Sequence, residues 1–271
     1  GTVGPGAIHL LNGLYDAKMD HAPVLAITGQ VPRSEVGSDY HQEVNLDRLF
    51  DDVCVYNQTV MCSSQMPRLG VLAAQAAIAN SGVSHLSIPS DVGPDKIKPS
   101  GVHKVFVSDS ECIPAASHLN EIAAELNGAK NVTMMVGWGS RGATKEILAL
   151  AEKLQAPIVH SLKGKAVINQ DNPYWAGGLG LLGTKGGVEA VNHCDVLLLL
   201  GTDYPYRQFL PNHAKIIQID ISPERIGRRC DVSIGAVGHV RSSVDALLPL
   251  LQQKTDKNHL EQIQKKRESY E

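Results

Sequence analysis

The run DVLLLLGTDYPYRQFLPNHAKIIQID, residues 195–220, constrains the fold more than any other stretch of this chain. It holds two continuous apolar segments, VLLLLG and KIIQID, each closing on small or acidic residues. Short apolar runs without alternation suit parallel strands covered on both faces. In open parallel sheets, ligands bind just beyond the carboxyl ends of the strands. Gly201, Thr202, Asp203 and Asp220 occupy such ends and are the first candidate ligand residues.

The rest of the chain keeps the same strand and helix rhythm. IHLLNGLYDAKM reads as an amphipathic helix, PVLAIT and VCVYNQTV as strands, MPRLGVLAAQAAIANSG as a helix closed by Gly82, and VSHLSIPSD as a further strand. Residues 93–109, with two prolines and few apolar positions, read as a linker. A second series follows. A helix capped by Ser110 precedes the strand NVTMMVG, the helix ATKEILALAEKL and the strand PIVHSL. A short helix in GTKGGVEAVNHC precedes the run at 195–220; VSIGAVGH is a last strand and RSSVDALLPLLQQ a helix. Strands separated by helices imply right-handed crossovers and parallel sheets. The expected fold is therefore α/β: part of one domain over 1–92, the linker, a Rossmann-like six-stranded type of domain over 110–255, and a helical start of another linker over 256–271.

Bulk properties remove several function classes. A formal charge of −3 gives no basic field, so nucleic acid is not expected as a partner. Five cysteines without a C-x-x-C pair read as reduced thiols of a cytoplasmic protein. Eleven histidines show neither H-x-x-x-H nor H-E-x-x-H, so no metal ligand set is expected. No apolar run reaches the length of a membrane span, and no signal-like start is present. The chain opens on Gly1 and closes in a charged helical stretch, and both ends look cut.

Several motifs carry chemistry. Gly137-Trp138-Gly139-Ser140-Arg141-Gly142 has the form G-x-G-x-x-G between a strand and a helix. Glycines let backbone approach a phosphate, and Arg141 adds a charge-assisted bond. The acid expected about 20 residues on in dinucleotide folds is missing from PIVHSLKGK. Ordinary NAD use is thus disfavoured, while a pyrophosphate site and a plain tight turn stay equally open. The glycine cluster at 177–183 reads either as a backbone strip under a ligand or as a mobile loop. Asp203, flanked by Tyr204 and Tyr206, suits a ribose hydroxyl or a turn cap; Asp220 suits a ligand somewhat better. Gly4-Pro5-Gly6 and the Tyr40-His41-Gln42-Glu43 segment are candidates beside ordinary turns. Neither G-x-S-x-G nor a G-x-x-x-x-G-K-[ST] loop occurs.

Together these segments resemble one family over nearly the whole chain. GPGAIHLLNGLYDAKMDHAPVLAITGQVP, SEVGSDYHQE and SIPSDV are similar to the second half of the pyrimidine-binding domain of thiamine-diphosphate enzymes. VGWGSRGATKEILALAEKLQAPIVHSLKGK, NPYWAGGLGLLG, LLGTDYPYRQFLP and AKIIQIDISPERIG resemble the central domain of pyruvate oxidases, most of all the quinone-linked pyruvate dehydrogenase type. Acetolactate synthase is the neighbouring alternative. The resemblance implies FAD in an extended pose along Leu179, Gly180, Leu181, Leu182 and along Thr202, Asp203, Tyr204, Pro205, Tyr206. It implies Asp220 near the adenosine end and Gly139, Ser140 and Arg141 near the pyrophosphate.

By the same resemblance Gln42 lies near the thiazolium and the substrate, although His41 departs from the phenylalanine often found before it. The family also needs thiamine diphosphate and Mg2+. Its catalytic glutamate is expected upstream of Gly1, and its G-D-G…N metal segment downstream of Glu271. The implied activity of the intact protein is oxidative decarboxylation of pyruvate, with electrons passing through FAD to quinone or oxygen, in a homotetramer. This chain alone is expected to be inactive, and peripheral membrane association of the intact protein stays open. Two alternatives remain: a synthase whose FAD has no redox role, and a nucleotide-binding or assembly module without catalysis.

Overall fold

The computed structural model of the chain describes residues 1–97, 104–107 and 110–269. Chain contacts separate it into two compact units, Gly1–Asp109 and Ser110–Glu271. The linker expected at 93–109 lies in part outside the described residues; its described positions 93–97 are exposed and carry neither helix nor strand.

The first unit contains helix α1 (Pro5–Met19), strand β1 (Val24–Gln30), helix α2 (Leu46–Phe50), strand β2 (Cys54–Thr59), helix α3 (Met66–Ala79) and strand β3 (Val83–Pro89). Its three strands are parallel in the order β1-β3-β2. The central strand β3 is almost wholly buried, as a strand with neighbours on both sides must be. Pro5 opens α1 where its missing N–H costs nothing. Helix α3 was expected to close on Gly82. It closes instead through Ser81, which takes the left-handed conformation at φ 47°.

The second unit contains α4 (Ala116–Gly128), β4 (Val132–Val136), α5 (Thr144–Leu154), β5 (Ile158–His160), β6 (Trp175–Gly178), α6 (Lys185–Asn192), β7 (Val196–Leu200), β8 (Lys215–Asp220), β9 (Ile234–Val237), α7 (Val240–Leu247) and α8 (Asn258–Glu268). All six strands pair parallel in the order β6-β5-β4-β7-β8-β9. Every residue of β4 and β7 is buried, because both faces of the sheet are covered. One face packs against Leu119, Ile122 and Leu126 of α4, Ile147 and Leu150 of α5, and Val244 and Leu247 of α7. The other packs against Ala190 and Val191 of α6 and Ile263 of α8. Helix α5 shows why: Ile147, Leu150, Ala151 and Leu154 form one apolar stripe, and Gln155 ends it in the left-handed region.

Three details differ from the sequence reading. Strand β6 takes in the first residues of the glycine cluster, 177–178, where no strand was expected. Helix α4 begins at Ala116 and not beside Ser110; Cys112 N donates to His239 Nδ1 at 2.8 Å, which holds that approach segment extended against α7. Helix α8, expected as the start of a linker, packs on α6 and β6. His259, Leu260 and Ile263 are buried there, and Gln264 Nε2 donates to Pro173 O at 2.8 Å.

Candidate functional site

The strand order runs outward in both directions from β4 and β7, so the direction of winding across the sheet reverses between them. Such a switch point opens a crevice at the carboxyl ends of the two strands. Gly137 follows β4 and Gly201 follows β7. Gly137 N donates to Leu200 O at 3.0 Å, Gly139 N to Gly201 O at 3.0 Å, and Ser140 Oγ to Leu200 O at 2.8 Å. Backbone therefore lies directly on backbone. A Cβ on Gly139 would stand 2.9 Å from Gly201 Cα, and one on Gly201, at φ 58°, 2.5 Å from Gly139 C. Two glycines are required here by the seam itself.

The seam changes the chemistry expected of Gly139, Ser140 and Arg141. Their N–H groups are all engaged, with Gly201 O, Gly137 O and Trp138 O respectively. Helix α5 starts only at Thr144. All three N–H groups are thus paired within the chain, and the polar group that Arg141 leaves exposed is its guanidinium. That group is exposed and stacks 4.3 Å from the Trp138 ring centroid.

At the end of β6 the chain forms a narrow strip. Gly183 N donates to Gly180 O and Thr184 N to Gly178 O, both at 2.9 Å. Thr184 Oγ1 accepts from Gly187 N and so caps α6. Leu179 is buried and its N–H meets His160 O at 3.0 Å, whereas Leu181 and Leu182 are 70% and 86% exposed. Gly180 has φ 124°, and a Cβ there would stand 2.6 Å from Tyr204 Oη. The strip and the segment after β7 therefore touch.

Tyr204 is buried, and its hydroxyl has no hydrogen-bond partner among the described residues. Burial, and secondarily Tyr206, push it up to about 12, so it keeps its proton. Tyr206 meets Tyr204 edge-on at 5.7 Å and Phe209 at 6.3 Å. Pro205 is exposed. Thr202 O accepts from Gln218 Nε2 at 3.3 Å, and Gln218 Oε1 accepts from Gly227 N at 3.0 Å. Asp203 Oδ2 lies 3.8 Å from Arg228 Nη1 and 3.9 Å from Arg229 Nε. Asp220 is buried; its Oδ1 accepts from Ser222 N at 3.0 Å.

The residues singled out in this unit thus share one edge of the sheet, at the ends of β4, β6, β7 and β8. Two residues there were missed. Gln218 ties two strand exits together but reads in sequence as plain strand. His160, at the end of β5, carries no motif; the missing acid at that position was the only signal.

In the first unit Gln42 is exposed at φ 65°, and a Cβ on Gly4 would stand 2.2 Å from Gln42 O. The Gly4-Pro5-Gly6 turn and Gln42 are therefore brought together. Glu43 holds the loop by accepting from Gly37 N and Tyr40 N. A network unseen in the sequence crosses all three strands. His85 bonds Thr28 Oγ1 at 2.8 Å and Asn57 Oδ1 at 2.7 Å, and stacks on Phe50 at 3.9 Å. Among the described residues no group of three His, Cys, Asp or Glu could hold a metal ion. A surface depression of this unit is lined by Ser64, Arg68 and Leu72 and includes neither Gln42 nor His85.

Comparison with known proteins gives two family matches. The central domain of thiamine pyrophosphate enzymes matches residues 119–247, and their N-terminal TPP binding domain matches residues 1–49. YdaP of Bacillus subtilis (strain 168), described as thiamine pyrophosphate-containing, is 41% identical over 259 residues, 95% of this chain and 45% of that protein. A pyruvate oxidase of Lactiplantibacillus plantarum is 30% identical over 254 residues, 92% of this chain and 42% of that protein. An acetolactate synthase of Arthrospira platensis is 33% identical over 264 residues, 91% of this chain and 45% of that protein. The chain spans somewhat under half the length of these relatives.

Proposed function

We propose, from the premise that the chain belongs to the thiamine pyrophosphate enzyme family, that its second unit binds FAD within an oxidoreductase acting on pyruvate. The observation that carries this reading is the strip at 178–183 laid against Tyr204, whose buried hydroxyl lacks a partner. A cradle that a Cβ would fill, two exposed leucines and an unmet donor suit a long ligand with an aromatic end and polar groups along it. The similarity to a pyruvate oxidase supports the same assignment.

The residues then take these roles. Leu181 and Leu182 offer apolar contact, and Gly180 allows close backbone approach. Thr202, Asp203, Tyr204, Pro205 and Tyr206 line the opposite side of the ligand. Asp220 receives the adenosine end, and Arg141 offsets diphosphate charge. Gly139 and Ser140 act indirectly by fixing the seam. In the first unit Gln42, beside the Gly4 turn, orients substrate. Bound FAD supplies a two-electron acceptor, thiamine diphosphate with Mg2+ supplies the carbanion chemistry, and the protein supplies orientation. Quinone or oxygen is the final acceptor, and the whole protein is a cytoplasmic homotetramer in this reading.

A second reading is an acetolactate synthase, favoured by the 33% identity to such an enzyme. Product analysis separates the two. The full-length protein given pyruvate and an artificial acceptor is expected to form acetate and reduced acceptor. Acetolactate without acceptor reduction would select the synthase. A full-length protein that carries no flavin absorption and takes up no FAD would end the first reading.

A further inference from the structure

Two deeply buried polar atoms at the strand ends find no partner among the described residues: His160 Nε2 and Tyr204 Oη. His160 is 6% exposed and Tyr204 2%. Buried polar atoms are nearly always hydrogen-bonded, since leaving one unmet destabilises the fold. Both side chains press on the same strip. A Cβ on Gly178 would stand 3.2 Å from His160 Cε1 and 3.8 Å from Nε2, and one on Gly180 2.6 Å from Tyr204 Oη.

The tautomer of His160 follows from its other nitrogen. Nδ1 lies 2.9 Å from Ser161 O, which can only accept, so Nδ1 carries the proton. Nε2 is then a buried lone pair awaiting a donor. Tyr204 retains its proton and awaits an acceptor. The strip is flanked by one unmet acceptor and one unmet donor.

This pairing selects chemistry. A phosphate offers acceptors only and leaves Nε2 unmet. A sugar or polyol hydroxyl both donates and accepts, and so satisfies either atom. We propose that His160 is a binding residue whose Nε2 accepts a hydrogen bond from a hydroxyl of a polyol-containing dinucleotide lying along residues 178–182, with Tyr204 Oη donating to the same ligand. The assignment rests on the flavin reading above. It also locates the diphosphate away from His160, toward Arg141.

The test is equilibrium FAD binding to the full-length apoprotein, followed by flavin fluorescence, with melting temperature of the apoprotein beside it. His160→Leu is expected to weaken FAD about 3- to 10-fold, the loss of one neutral hydrogen bond. The melting temperature of its apoprotein reports whether the fold survives the loss of the Nδ1 bond to Ser161 O, whereas Tyr204→Phe, which removes only the unmet hydroxyl, should melt no lower than wild type. His160→Gln, which keeps an acceptor, should recover part of the affinity, and Tyr204→Phe should weaken FAD to a similar degree. Unchanged affinity in folded His160→Leu overturns the assignment and leaves the flavin reading intact. If His160→Leu does not fold, unchanged affinity in Tyr204→Phe decides in the same sense. Wild-type protein that takes up no FAD removes the flavin reading, and this assignment with it.

Discussion

Two histidines buried as neutral rings make each unit sensitive to acid. His85 is sealed between Thr28, Asn57 and Phe50, and burial pulls it down to about 4. His259 of α8 bonds Thr133 Oγ1 at 3.0 Å, and burial pulls it likewise to about 4. An unfolded histidine titrates near 6.5, so between those values the unfolded chain binds more protons than the folded one. Stability is full above about 6.5 and is lost as pH falls toward about 4. The urea midpoint should therefore drop between neutral pH and about pH 5, and a midpoint that stays flat would refute the neutral burial of both rings. The seam makes a second demand at this scale. Gly201→Ala forces a left-handed alanine into Gly139 and should cost at least about 1–3 kcal/mol by denaturant unfolding. Of the candidate site, the strand-end positions of Thr202, Asp203 and Asp220 were legible because apolar runs lead into them. His160 was not, since a histidine closing a strand carries no spacing signal, and its unmet nitrogen exists only once Gly178 lies over it.

Elements with dense apolar runs, such as β4, β7 and β8, were legible, because a short run of this kind bounded by turn residues suits a strand covered on both faces. Strand β6 was not. Its sequence WAGG lacks branched side chains, and paired glycines ordinarily mark a loop. The glycines answer to neighbours instead: a Cβ on Gly177 would stand 1.9 Å from Thr184 Oγ1. Helix α8 was misplaced for a different reason. Its highly charged sequence gives a weak apolar stripe, yet three residues of it are buried. Ile263→Ala should lower the stability of the second unit by about 2–5 kcal/mol; a change below about 0.5 kcal/mol would show that α8 merely rests on the sheet.

For the molecule as a whole, a drop in apolar content between two α/β series falls where chain contacts divide the chain into two units. The described stretch 93–97 is exposed and without regular structure. Backbone of that kind is where proteases enter first. Brief trypsin treatment should cut after Lys96 and leave a resistant fragment containing the second unit; prior cleavage inside that unit would contradict the division. The relation of sheet order to ligand was legible only in outline, because six parallel strands admit several orders and the sequence names none of them. The switch-point seam has one further consequence, in time and not in energy. Because Gly139 and Gly201 are joined through main-chain hydrogen bonds and carry no side chain to rotate, the seam has no second arrangement to offer. The amide protons of Gly137 and Gly139 should then exchange with deuterium far more slowly than those of the exposed 93–97 stretch.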